Sequence, residues 1–70
     1  MDRISDREIQ IINLIAHEQT TREIAATLFL STHTIDAHKK NIKMKLAVKN
    51  TAGLVRRAFE MGILSLVVTE

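Results

Sequence analysis

The side chains with most to offer a ligand are gathered in one stretch of the chain. Residues 31–57 hold five lysines, two arginines and a single acid, Asp36, for a net +6, whereas residues 1–30 hold three arginines and five acids, net −2, and residues 58–70 two acids, net −2. The modest overall charge of +2 therefore hides a strongly basic segment, the footprint of a surface that meets phosphates or another polyanion. Inside it, Thr32, His33, Thr34, Asp36, His38, Lys39, Lys40 and Lys43 mix hydroxyls, imidazoles, ammonium groups and one carboxylate. A mixture of donors and acceptors can discriminate between ligands, which a plain row of solvated lysines cannot.

Other chemistries find no support in the same residues. His33 and His38 are five apart and point about 140° away from each other on a helix, so they cannot share one metal ion. No cysteine is present, which excludes a disulfide framework and the usual Cys-containing zinc sites. A 70-residue chain buries only about 60% of the surface its unfolded form exposes, which leaves little room for a catalytic cleft, and an enzyme is not expected. No cofactor is expected either. Two aromatics, Phe29 and Phe59, are too few for a protein that stacks single-stranded bases on aromatic platforms. No apolar run approaches the roughly 18 residues of a membrane span, and the opening Met1-Asp2-Arg3-Ile4-Ser5-Asp6 is too polar for a signal peptide, so a cytoplasmic location and no membrane partner are expected.

The elements that position the basic stretch can be read from start signals and apolar spacing. Ser5 and Glu8, and again Thr20 and Glu23, form the Ser/Thr-x-x-Glu pattern of a capping box ahead of an apolar run. The first predicted helix covers about 5–17, with Ile9, Ile12, Ile15 and Ala16 on its buried face and Ile11 and Leu14 widening it. A second covers about 21–28 with Ile24, Ala25 and Leu28 inward, and Ser31 caps a third over 32–46. Asn50 caps a fourth over 51–61 that carries Leu54, Val55, Ala58 and Phe59, with Gly62 placed to end it in a left-handed conformation. Repeats, low-complexity tracts and linkers are absent, so residues 1–70 are expected to form one all-α domain with a core over 4–64 and an apolar tail over 65–70. That tail continues Ile63 and Leu64; covering the core is its expected role, and contact with a further domain or a second subunit is the alternative.

Three residues, Phe29-Leu30-Ser31, separate the second and third helices. A short helix, a tight turn and a longer helix bearing the basic cluster make a helix-turn-helix, whose second helix enters the DNA major groove. At about 100° per residue, with Ile35 set to 0°, Ile42 and Leu46 fall near 340° and 20° and define the inside. His33, Ala37, Lys40 and Met44 then lie within about 40° of the opposite pole, flanked by Asp36 near 100° and Asn41 near 240°.

From Ile4 to Leu64 the chain resembles the LuxR/NarL-type (GerE-like) tetrahelical DNA-binding domain. The resemblance rests on separated blocks in the same order: Ile4-Ser5-Asp6-Arg7-Glu8, Glu23-Ile24-Ala25, Ser31-Thr32-His33-Thr34-Ile35-Asp36-Ala37-His38 and Asn41-Ile42-Lys43-Met44-Lys45-Leu46, with Asn50, Leu54, Ala58 and Gly62 in the last helix. It implies a compact four-helix fold and sequence-specific binding of double-stranded DNA, as the effector domain of a bacterial transcriptional regulator of the two-component response-regulator type. A receiver domain and RNA polymerase are the further partners it implies. The family's base-reading positions correspond to Asp36, Ala37 and Lys40, the outward face found from helical spacing, and His33 lies beside them. Lys40 can donate to guanine O6 and N7, Asp36 can accept from cytosine N4, and Ala37 can touch a thymine methyl, each good pairing adding roughly 1 to 3 kcal/mol of discrimination. Against this stands a structural role for Asp36, in which the helix dipole and an i,i+4 pair with Lys40 account for it.

Phosphate contacts are expected from Thr20, Thr21, Thr32, Thr34, His38, Lys39 and Lys43, although capping alone explains Thr20. Relatives pair through the fourth helix, which makes Val55, Arg56 and Phe59 the expected homodimer surface, with core filling as the alternative for Val55 and Phe59. Arg7 resembles a position that supports the fold. The departures lie in turns: Glu18 and Ala47 stand where relatives have glycine, and Gln19 replaces an apolar residue. Two other functions remain open on the residues alone, a helical protein-interaction module with a basic face and a sigma-factor-like promoter-reading domain.

Overall fold

The computed structural model describes residues 3–64, and the expected tail over 65–70 lies outside them. Four helices follow one another, α1 (Asp6–Ala16), α2 (Thr21–Leu28), α3 (Thr32–Leu46) and α4 (Thr51–Glu60), with no strand among the described residues. Each begins where a side chain takes up an orphan amide: Ser5 accepts from Glu8, Thr20 from Glu23, Ser31 from Thr34 and Asn50 from Gly53. Both expected capping boxes are closed, since Glu8 and Glu23 each return a bond to the Ser5 and Thr20 amides at 2.8 Å.

All four helices stop in the same way. Glu18, Phe29, Ala47 and Gly62 have φ of +64°, +57°, +57° and +77°. The next residue then donates its amide five positions back: Gln19 to Leu14, Leu30 to Ala25, Val48 to Lys43 and Ile63 to Ala58. This left-handed termination satisfies carbonyls that a helix end leaves unpaired. It also folds Leu30, Val48 and Ile63 back against the core. Gln19 has no apolar side chain to tuck in, and its Oε1 lies 3.2 Å from the Thr27 hydroxyl of α2 instead. The left-handed turns expected at Glu18 and Ala47 are present, and Phe29 is a third that its residue type did not signal.

One core joins the helices. Ile11, Ile12, Ile24, Ile35, Ile42 and Leu54 are its fully buried large side chains, with Ile15, Ala25, Leu46, Ala58 and Leu64 around them. Burying each of the large ones contributes about 1.5–3 kcal/mol. Helix α3 carries Ile35, Ile42 and Leu46 inward, as its spacing requires, and lies against all three other helices, whereas α2 touches only α1 and α3. In α1 the inward stripe differs from expectation. Ile9 and Ala16 are only half-buried, and the buried set is Glu8, Ile11, Ile12 and Ile15. That set has the i, i+3, i+4, i+7 spacing of a helix face, but its first place is taken by a carboxylate, so apolar pattern alone puts the stripe one residue out of phase. Arg7 is exposed and joins no ion pair among the described residues.

Candidate nucleic-acid interface

The inward anchors of α3 fix what it shows outside. His33, Asp36, Ala37, Lys40, Asn41 and Met44 are exposed, together with Thr32 at the helix start. Thr34 and His38 on one flank and Lys39 and Lys43 on the other are half-buried. The four side chains expected at base edges thus share one open face, and the expected phosphate ligands carried by α3 border it. Thr20 sits at the start of α2, where its hydroxyl is engaged by the Glu23 amide at 3.2 Å. The Thr34 hydroxyl lies 2.9 Å from that of Ser31.

Two lysines of the basic stretch are tied to other helices. Lys39 Nζ donates to Thr21 Oγ1 at 2.7 Å, which links the flank of α3 to the first residue of α2 and brings two expected phosphate ligands together. Lys45 is withdrawn from the surface charge. Its Nζ lies 2.9 and 3.0 Å from the two carboxylate oxygens of Glu8 and 3.1 Å from the Arg3 carbonyl, binding α3 to α1 and to the segment before it. Burial pushes the Glu8 carboxyl up, but the Ser5 amide, the Lys45 ammonium and the Ser5 hydroxyl together outweigh it and hold the group below its ordinary range. The Thr20 amide, and after it the Thr20 hydroxyl, lower Glu23 in the same direction. Sequence reasoning treated Glu8 only as a cap and Lys45 as one more surface cation. The misplaced carboxylate in the α1 stripe was the available signal, but nothing local named a partner 37 residues away.

On α4, Arg56 and Arg57 both lie near Glu60, at 3.4 and 3.5 Å. Val55 is half-buried against the core, Arg56 is exposed, and Phe59 keeps 42% of its surface open. Val55 therefore serves the core in part, while Phe59 remains available at the surface. Among the described residues no helix is long and apolar enough to cross a membrane.

The sequence that builds this arrangement, a short helix pinned to a longer one whose mixed polar face is open, matches over residues 2–58 the family model of bacterial regulatory proteins of the luxR family. The chain belongs to the LuxR family. Its family is one of DNA-binding transcriptional regulators built on a helix-turn-helix. The LuxR-family chain is 42% identical over 64 residues to the transcriptional regulatory protein MctR of Rhizobium johnstonii, a match covering 91% of this chain and 30% of that protein. It is 41% identical over 61 residues to the oxygen regulatory protein NreC of Staphylococcus aureus, covering 87% of this chain and 28% of the relative. Among solved structures, the response regulator ChrA of a heme-sensing two-component system superposes with a TM-score of 0.88 at 30% identity, over 91% of this chain and 32% of that one. The chain thus spans about a third of the length of these proteins.

Proposed function

We propose that this LuxR-family chain is the sequence-reading effector domain of a cytoplasmic, response-regulator-type transcription factor. It binds double-stranded DNA with α3 in the major groove. His33, Asp36, Ala37 and Lys40 meet base edges. Thr20, Thr21, Thr32, Thr34, His38, Lys39 and Lys43 hold phosphates on either side. Two copies pair through Val55, Arg56 and Phe59 of α4 on a two-fold related site, a receiver domain supplies the signal, and RNA polymerase is the downstream partner. In this role the chain catalyses no reaction.

The observation that carries the reading is the outward face of α3. Its donors and acceptors are exposed and without partners among the described residues, on a helix whose opposite face is locked by Ile35, Ile42 and Leu46. A rigid helix that presents unsatisfied polar groups is what base readout needs, because the groups are positioned before the DNA arrives. Selection of bound sites from a random duplex library at about 0.1 M salt, with the wild-type chain and with Lys40→Ala, tests it. An inverted repeat is expected, with preference relaxed at one position of each half-site in the variant. Weak binding without enrichment would refute base reading and favour a helical protein-interaction module with a basic face.

A further inference from the structure

Asp36 is the one acid in residues 31–57. It is exposed on the face proposed to enter the groove, and no contact among the described residues explains it. Neither of the two structural roles open to it is filled. It lies beyond the first turn of α3, where a carboxylate would complement the helix dipole, and the ion pairs among the described residues do not join it to Lys40. Among the described residues, no hydrogen bond from a side chain or from backbone outside the helix reaches its carboxylate. An unpartnered negative charge on a surface that approaches phosphates opposes binding unless something on the DNA accepts it.

We infer that Asp36 is a discriminating acid that requires a cytosine with an unmethylated N4 amino group at one position of each half-site. This rests on the groove reading given above and deepens it. A carboxylate only accepts hydrogen bonds, and the major-groove edges offer donors at two atoms, cytosine N4 and adenine N6. Beside adenine N6 lies the N7 lone pair, which repels the second carboxylate oxygen. Beside cytosine N4 lies only the C5 hydrogen. Guanine and thymine present acceptors to it. Cytosine therefore compensates the charge best: guanine and thymine leave it desolvated and unpaired, and adenine pairs one oxygen while its N7 repels the other, so the acid is a repulsive element that rejects wrong sites rather than an attractive one that strengthens the right one. Lys40 lies four residues on, about 6 Å along the helix, which is between one and two base-pair steps of about 3.4 Å, so the two side chains face different base pairs.

The N4 amino group has two hydrogens, one used to pair with guanine and one pointing into the groove. In a paired cytosine an N4-methyl group takes the groove position, so the donor that Asp36 needs is replaced by a methyl. The inferred contact is thus sensitive to N4-methylation of a single base.

Fluorescence-anisotropy titrations of the full chain test this, using the library-selected duplex, its single-base substitutions and a copy with N4-methylcytosine at the cytosine in question. The wild-type chain is expected to lose about tenfold or more in affinity when that cytosine is replaced by thymine or guanine, and a similar factor on N4-methylation. Asp36→Ala is expected to bind cytosine, N4-methylcytosine and thymine there equally, and to bind random duplex more tightly than wild type because a charge facing the phosphates is gone. Asp36→Asn is expected to prefer adenine, whose N6 and N7 suit a side-chain amide. Unchanged melting curves for both variants are expected, since the side chain has no partner to lose among the described residues. A wild-type chain that selects a site whose every position keeps its preference in Asp36→Ala, or tolerates the N4-methyl group, overturns the inference and leaves the groove reading standing. A wild-type chain that selects no site overturns both.

Discussion

Replacing Lys45 by Met keeps the buried stem and removes the charge that Glu8 faces. The carboxylate is only 5% exposed, whereas the lysine side chain is 22% exposed, so the two halves of the pair are not equivalent. Removing one partner of a buried pair costs about 3–5 kcal/mol, because the other charge is stranded. Glu8 would keep the Ser5 amide at 2.8 Å, which puts Lys45→Met near the lower end, about 3 kcal/mol. For a domain of this size that is a fall of roughly 12–24 °C in Tm. The converse change, Glu8→Gln, leaves a lysine that still reaches water and the Arg3 carbonyl, and it should cost about 1–2 kcal/mol.

Urea titrations followed by far-UV circular dichroism between pH 7 and pH 3 measure both variants. Because the folded state holds the Glu8 carboxyl below its ordinary value of 4.5, the unfolded chain takes up that proton first. The stabilisation is complete above the ordinary value and is lost as pH falls through the folded one. Lys45→Met removes two of the causes that lower the group, so its loss of stability on acidification should be smaller than in wild type, with the Glu23 contribution remaining. A cost below about 1 kcal/mol, with an acid profile like that of wild type, would show that the pair is screened like a surface ion pair and would refute the reasoning. So would a Glu8→Gln variant that is the less stable of the two.

Glu18→Gly, Phe29→Gly and Ala47→Gly should each raise Tm, since a side chain at positive φ costs on the order of 1 kcal/mol, while Gly62→Ala at φ +77° should lower it; an opposite sign at any of the four would remove the strain argument there. Lys39→Ala should weaken binding to all duplexes alike and reduce the slope of log affinity against log salt by about 1, and a sequence-dependent loss would instead mark Lys39 as a base reader. Phe59→Arg should leave the monomer folded, because the side chain is not among the buried core residues, yet abolish cooperative binding of two copies to an inverted repeat in sedimentation experiments; an unchanged two-to-one complex would move the pairing surface elsewhere.

Relations three to five residues long were open to inspection in the chain itself. The caps at Ser5, Thr20, Ser31 and Asn50, the inward set Ile35, Ile42 and Leu46, the left-handed turns at Glu18, Ala47 and Gly62, and hence the outward face of α3 all follow from backbone periodicity and from the hydrogen bonds a helix end must make. Phe29 escaped because its residue type argues against the conformation that the Leu30 to Ala25 bond imposes. The phase of α1 escaped because a carboxylate holds a core position there. What only the tertiary structure decided is which charges are left for a ligand. Whether Lys45 spends its charge on Glu8, whether Lys39 reaches Thr21 and whether Asp36 finds a partner depend on how separate helices cross. Those distances arise from burying isoleucines of α1, α2 and α3 in one core, and no local pattern encodes them.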